Sequence, residues 1–235
     1  MPKEIFEQSK PLTNDINLEY TLTGYEKKNV SKTYVVIKRS IDIVLSILGL
    51  LIVSPIFLFI TVFYLFGESK GPLIFKQKRF GKDGNIFYIY KFRSMVVNAD
   101  EKLKSNKELY GQYLKNNYKL EQFDDPRITK VGRVLRKTSL DELPQLINVL
   151  KGEMSIVGPR PIVKDELKEY KHLKGDFLSV KPGITGYWQI CGRSDVGYPE
   201  RVDLELYYIY NQALLLDIKI ILKTIIVVIF KKGAY

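Results

Sequence analysis

The chain of 235 residues holds one cysteine, one histidine and one tryptophan. A single cysteine excludes a disulfide framework, and one cysteine with one histidine excludes a Cys/His zinc site. Cys191 has no histidine at a suggestive spacing and reads as a small packed residue, and His172, inside the charged run KEYKHLK, reads as surface. Without spare histidines for a Ser-His-Asp triad, any chemistry falls to carboxylates and basic groups. Acidic residues are scarce beside basic ones: 26 Asp+Glu against 37 Lys+Arg leave a net charge of +11. Helix-turn-helix, zinc-finger and RNP patterns are absent, so no nucleic-acid partner is expected. Met1 to Ser40 also lacks the apolar stretch and small-residue cleavage site of a signal peptide.

What is present is one long apolar run. Ile41 to Phe66 carries a single charge, Asp42, over 26 residues, and about 20 apolar residues span a bilayer. Ser54-Pro55 interrupts its centre, where proline removes a backbone donor and clashes with the preceding turn. Each half reaches roughly 18–20 Å, short of the ~30 Å hydrocarbon thickness. Lys38 and Arg39 precede the run, and Lys70, Lys76, Lys78, Arg79 and Lys82 follow it. Positive charge marks the cytoplasmic side, and here both ends carry it. A re-entrant helix that bends at Ser54-Pro55 satisfies both observations; a spanning helix with a proline kink is the alternative.

The basic excess lies behind this run, with 17 basic and 7 acidic residues from Lys70 to Lys137. Such a surface seeks phosphates, on lipid head groups or a nucleotide. The expected organisation is α+β, a small membrane-associated catalytic domain: a polar extension over 1–33, the membrane helix over 34–69, the catalytic domain over 70–210, and an amphipathic interfacial helix over 211–235. Short strands are predicted at 72–75 and 85–90 around a turn at 81–84, and a solvated helix from 98 to about 120. TSLDELPQLINVLKG reads as the best helix, with Leu143, Leu146, Ile147 and Leu150 on one face. Ser139 and Glu142 have capping-box spacing, Pro144 falls near the first turn, and Gly152 is placed to end it. A further helix is predicted over 165–174 and a loop over 181–197. Leu214 to Phe230 is apolar but includes Lys219 and Lys223 on one face, which fits an interfacial helix; a buried core helix is the alternative.

Asp141 and Glu142 open the best helix. Acidic residues favour helix N-termini for electrostatic reasons alone. Arg133, Arg136 and Lys137 stand just upstream, however, and a carboxylate among cations stays ionised and serves as nucleophile or magnesium ligand. In Gly158-Pro159-Arg160-Pro161 two prolines stiffen the presentation of a guanidinium suited to phosphate.

Taken together, FKQKRFG (75–81), YKFRSM (90–95), DDPRITKVGRVLRKTSLDELPQLINVLKGEMSIVGPRP (124–161) and KPGITGYWQICGRSD (181–195) resemble the bacterial monotopic phosphoglycosyl transferases, or bacterial sugar transferases. The resemblance covers about Lys38 to Tyr235. It implies transfer of a sugar-1-phosphate from a UDP-sugar to undecaprenyl phosphate, with release of UMP, at the cytoplasmic face of the bacterial inner membrane. It also implies that Asp141 is the nucleophile and forms a sugar-phosphoryl-aspartate, that Mg²⁺ assists, and that Ser54 and Pro55 form the break of a re-entrant helix. Glu142 then holds the metal with Asp141, orients Asp141 or shuttles a proton. Arg136 matches the position for the lipid phosphate, and Arg160 suits the donor's phosphates. Lys91, Arg93, Arg127 and Arg133 are further substrate-binding candidates.

The short N-terminal part resembles the minimal architecture of the family. The C-terminal part is similar to members that transfer hexose-1-phosphates for capsule, exopolysaccharide or O-antigen synthesis. UDP-galactose or UDP-glucose is the expected donor, with an N-acetylated amino sugar second. A non-catalytic membrane adaptor of polysaccharide assembly is the alternative of a different class, and a homodimer is possible through the C-terminal helix and aromatic loops.

Overall fold

Ser31 opens the first element: its hydroxyl accepts from the Tyr34 N–H at 3.1 Å, an N-cap, and α1 runs Lys32–Phe63 over 32 residues. The structure, a computed structural model, describes residues 30–116, 120, 125–192 and 196–229. Most of the expected extension over 1–33, and residues 230–235 of the C-terminal segment, lie outside the described residues.

Pro55 stays inside α1. The expected break is thus a lost backbone donor within one helical run, not a gap between two helices. The donor that proline lacks would bond the Leu51 carbonyl, and the Ser54 hydroxyl donates to that carbonyl instead, at 2.9 Å. Among the described residues, α1 is the one helix long and apolar enough to cross a membrane. Both its arms are nonetheless tied to the rest of the chain. On the first, Arg39 donates to the Val149 and Leu150 carbonyls at 2.6 and 2.8 Å. Asp42 accepts from Ser155 Oγ at 3.0 Å and the Ile156 N–H at 2.9 Å. At the far end Ile60 and Tyr64 are buried with Phe92 and Leu135, and Tyr64 Oη donates to the Arg93 carbonyl. Between the arms Leu51, Ile52, Leu58 and Phe59 are at least 66% exposed.

β1 (Ile74–Phe80) and β2 (Ile86–Phe92) form an antiparallel hairpin around the expected turn. β1 starts later and runs further than the predicted 72–75. Its alternation is hidden in charged residues: Lys76 and Lys78 cover the Tyr90 and Tyr88 rings on one face, while Gln77 and Arg79 share the other with Phe75. The predicted helix over 98–120 is two short ones, α2 (Ala99–Ser105) and α3 (Lys107–Lys115). Asn106 turns extended between them and caps α3 through the Leu109 N–H at 3.0 Å.

Thr129 caps α4 (Lys130–Thr138) by accepting from the Gly132 N–H at 2.9 Å. A side chain at Gly132 would put its Cβ 1.9 Å from the Ser94 carbonyl oxygen, so only glycine lets α4 lie this close to the end of β2. The segment expected as one helix from Ser139 splits into a 3₁₀ turn, Leu140–Glu142, and a seven-residue helix, α5 (Gln145–Lys151). Pro144 is its N-cap, and Gly152, at φ 80°, ends it. The capping box does not form. Ser139 adopts φ 58° to close α4, and its carbonyl takes the Glu142 N–H. The buried face is Gln145, Leu146, Asn148 and Val149, whereas Ile147 of the predicted face is exposed. Asn148 explains the rotation: it donates to the Tyr88 carbonyl at 2.7 Å and accepts from the Tyr90 N–H at 3.0 Å, stitching α5 to β2.

The predicted helix over 165–174 is a 3₁₀ stretch, Glu166–Leu173, followed by α6 (Lys174–Leu178). The stretch expected as loop holds β4 (Gly183–Thr185), parallel to β3 (Ser155–Val157), and α7 (Tyr187–Cys191). A Cβ at Gly183 would come within 2.1 Å of the Gly158 nitrogen, which is why so glycine-rich a segment packs as a strand. α8 (Glu200–Tyr210) supplies Leu206, Tyr208 and Ile209 to the main core, which also takes Ile162, Tyr170, Phe177 and Trp188. Burying each such large apolar side chain contributes about 1.5–3 kcal/mol.

α9 (Leu214–Ile229) closes the described chain. Asp217 and Ile220 face inward, while Leu215, Ile218, Leu222, Ile225 and Ile226 face outward, unlike a core helix. Asp217 accepts from Tyr34 Oη at 2.9 Å, Lys38 Nζ at 2.8 Å and Tyr208 Oη at 2.8 Å. One carboxylate thereby locks α1, α8 and α9 together. The result is a mixed α+β fold.

Candidate active site

The 3₁₀ turn after α4 presents Asp141 and Glu142 against β2. Asp141 is 9% exposed. Burial pushes its carboxyl up to about 6; the Glu142 charge adds to this, and Lys91 and Arg136 oppose it. Glu142 accepts from Lys91 Nζ at 2.6 Å. The pair sits at the foot of α1, with Asp141 in electrostatic reach of Tyr64. α5 has only seven residues and starts four positions after Asp141, so Asp141 stands ahead of that helix and not within its first turn.

Arg136, on the last turn of α4, donates from Nε to Ser94 Oγ at 2.8 Å. Burial pulls its guanidinium below the ordinary arginine range, and Asp141 and Asp125 offset that. It is therefore a half-buried cation in electrostatic reach of the Asp141 carboxylate. Arg160 lies across the cleft: its N–H donates to Glu205 Oε1 at 3.1 Å, and its guanidinium lies 5.9 Å from the Trp188 ring centroid. One cleft is lined by Arg79, Lys91, Glu142, Gln145, Arg160 and Gln189.

Two of the other candidates do a different job. Arg93 donates to the carbonyls of Pro72 at 2.7 Å, Met95 at 2.9 Å and Ser69 at 2.5 Å, so its fork clamps the turn after α1 onto β2. Arg127 makes a two-pronged pair with Asp125 at 2.8 and 2.7 Å, and both are buried. Arg133 is half-buried one turn before Arg136 on α4. Asp124 and residues 193–195 of the quoted motifs lie outside the described residues. Arg79, Gln145 and Gln189 were missed from sequence; Arg79 stood inside FKQKRFG, but its neighbours Lys76, Lys78 and Lys82 read the same way.

For a divalent cation the donor set is small. Among the described residues no group of three His, Cys, Asp or Glu side chains converges. Two adjacent carboxylates, Asp141 and Glu142, fit Mg²⁺, which commonly takes one or two carboxylates plus substrate phosphates.

Comparison with known proteins adds the following. A family model described as Bacterial sugar transferase matches residues 33–231. An undecaprenyl-phosphate galactose phosphotransferase of Salmonella typhimurium is 48% identical over 202 residues, 85% of this chain and 42% of that protein. The exopolysaccharide production protein ExoY of Sinorhizobium fredii is 46% identical over 202 residues, 84% of this chain and 88% of its own length. A UDP-glucose:undecaprenyl-phosphate glucose-1-phosphate transferase of Escherichia coli is 42% identical over 207 residues, 85% of this chain and 41% of that protein. The chain thus spans less than half of two of these relatives and most of the third.

Proposed function

The chain belongs to the bacterial sugar transferase family, and on that premise we propose that it moves a hexose-1-phosphate from a UDP-hexose, galactose or glucose, to undecaprenyl phosphate. The observation that carries this reading is Asp141: a buried carboxylate of raised basicity, set between Lys91 and Arg136 at the foot of an apolar helix.

In the proposed reaction an Asp141 carboxylate oxygen attacks the β-phosphorus of the donor. The bond from that phosphorus to the bridging oxygen breaks, and the oxygen leaves with UMP. Undecaprenyl phosphate then attacks the same phosphorus, and the Asp141 carboxylate departs. Raised basicity makes Asp141 a stronger nucleophile, while its value of about 6 leaves it largely ionised at pH 7. Lys91 and Arg136 screen the meeting of anions, which is the main catalytic contribution in phosphoryl transfer. Lys91 also pairs with Glu142 at 2.6 Å, which offsets the second negative charge beside Asp141. Asp141 and Glu142 would hold Mg²⁺, which would supply further neutralisation of the donor's phosphate charge.

The acceptor is lipid-borne, and the proposed topology brings it to the site. Two arms of α1 anchored on one domain, with an exposed apolar middle, support a re-entrant helix dipping into the cytoplasmic face of the cell membrane. The outward apolar face of α9 supports a helix lying in the interface beside it. The reading also places the chain at the first step of capsule or exopolysaccharide synthesis, in line with the name of the Sinorhizobium relative.

The test is UMP release by the purified full chain with Mg²⁺, undecaprenyl phosphate and a panel of UDP-sugars. Release is expected with UDP-galactose or UDP-glucose and is expected to vanish in Asp141→Asn. Folded protein that is silent across the panel would favour the adaptor reading.

A further inference from the structure

The cleft that Lys91 and Glu142 line carries an unbalanced group of charges around Arg79 and Arg160. Arg79, Arg160 and Arg201 converge there, with Glu166 and Glu205 as the carboxylates among them. Glu205 is spent on the Arg160 N–H, on Tyr170 Oη and on Arg201. Glu166 is divided between Arg79 at 3.4 Å, Arg201 at 3.9 Å and the Val163 N–H at 3.0 Å. Three guanidinium groups against two carboxylates leave one positive charge in a largely dry wall.

Arg79 bears most of that imbalance. Its side chain is 12% exposed. Burial pulls its guanidinium down to about 10, and Arg160 and Arg201 pull in the same direction. One nitrogen donates to the Pro161 carbonyl at 3.1 Å and another to Gln77 Oε1 at 2.6 Å. Its Nε is buried and has no hydrogen-bond partner among the described residues, and Gln189 Oε1 in the same cleft is in the same condition. An unpaired buried donor on a cation repelled by two others is costly, and an anion at that point relieves both costs at once.

We propose that Arg79 is a donor-binding residue, which together with Arg160 cradles the phosphate groups of the nucleotide-sugar at the end of the cleft opposite Lys91 and Glu142. Hairpin register supports the layout. Arg79 lies on the same face of the hairpin as Phe75, and Phe75 pairs with Lys91. The two cations therefore start roughly 13 Å apart along the strand, and their long side chains converge on one cleft. Gln189 supplies an acceptor for a hydroxyl or imide donor on the remainder of the same ligand. The assignment rests on the proposed transferase reading for its ligand, but the anion cradle is testable without it.

Trp188 makes the test direct, because it is the only tryptophan of the chain and stands beside Arg160 and Arg201. The full chain in nanodiscs is titrated with inorganic pyrophosphate while Trp188 emission is followed, and KM and kcat for the UDP-hexose are measured by UMP release. The variants are Arg79→Gln, Arg79→Lys and, as a control on the solvent face of the same strand, Lys78→Gln. Losing one charge-assisted contact predicts a KM and a pyrophosphate midpoint raised about ten- to a hundredfold in Arg79→Gln, with kcat little changed. Arg79→Lys is expected to fall between, and Lys78→Gln to match the parent.

A purely structural Arg79, pinning the turn at Pro161, gives a different result. Thermal stability and kcat then fall with the amount of folded enzyme while KM and the pyrophosphate midpoint stay put, and that result overturns the assignment. Should the parent release no UMP with any UDP-sugar, the transferase reading fails. The pyrophosphate titration still decides the cradle: a response lost in Arg79→Gln upholds it, and a parent without response overturns it.

Discussion

A carboxylate with 9% of its surface exposed is costly to keep ionised, and Asp141 is kept so beside a second carboxylate. That arrangement has a consequence for stability with a definite sign. The folded value of about 6 stands above the ordinary 3.8, so between these limits the folded chain binds the proton more tightly than the unfolded one. Stability from this residue is greatest below about pH 4 and is lost as the pH rises through about 6. At pH 7 an uncharged amide at this position relieves the penalty. Asp141→Asn is therefore expected to unfold later than the parent at pH 7, by the order of 1–3 kcal/mol. At pH 4 the gain should shrink towards nothing, with thermal unfolding at both pH values as the measurement. A variant less stable at pH 7 would mean that Lys91 and Arg136 outweigh desolvation. Lys91, Arg136 and Arg160 were named from the motifs around them; the structure brings Lys91 and Arg136 into electrostatic reach of Asp141, and Lys91 and Arg160 into the lining of one cleft. Arg93 and Arg127 have the same composition around them but are consumed by backbone carbonyls and by Asp125, and spacing does not reveal such partners.

Elements here are short, and their boundaries come from side chains bonding backbone. Asn148 turns α5 so that a polar residue faces β2, defeating the apolar periodicity that marked Leu143 and Ile147. Asn106 divides one predicted helix into two. The 181–197 stretch read as loop because glycine lowers strand propensity, yet the close approach of Gly158 and Gly183 requires glycine there. Strong local signals survived: the apolar run, the turn at 81–84, Pro144 and Gly152. The outward face of α9 was likewise legible, but its anchor was not, since Asp217 finds Tyr34, Lys38 and Tyr208 only in three dimensions. Removing that anchor takes the carboxylate from half-buried Lys38 and the acceptor from the Tyr34 hydroxyl, while Lys38 keeps Tyr208 Oη at 3.2 Å and Tyr208 keeps the Val157 carbonyl at 3.2 Å. Asp217→Ala is expected to cost about 3–5 kcal/mol, lowering the unfolding midpoint in detergent by the order of 10 °C. An unchanged midpoint would mean that α9 is held by its apolar contacts alone.

At the scale of the whole molecule, the two arms of α1 return to one domain, and the proposed chemistry needs that. A donor from the cytoplasm and an acceptor in the bilayer must reach Asp141 from opposite sides of the same surface. In a Cys191→Ser background, Lys32→Cys and Lys70→Cys lie at the two ends of the proposed membrane segment, and both positions are exposed. An impermeant thiol reagent is expected to label both from the cytoplasmic side of sealed vesicles; labelling of only one would support a spanning helix. The proposed reaction turns on the nucleophile. The most direct measurement is the intact mass of the full chain after incubation with UDP-hexose and Mg²⁺ in the absence of undecaprenyl phosphate, followed by peptide mapping. The expected result is a single hexosyl-phosphoryl adduct on the peptide containing Asp141, formed with UMP release and discharged when undecaprenyl phosphate is added. Turnover with both substrates but no adduct on that peptide, or an adduct that persists in Asp141→Asn, would contradict it.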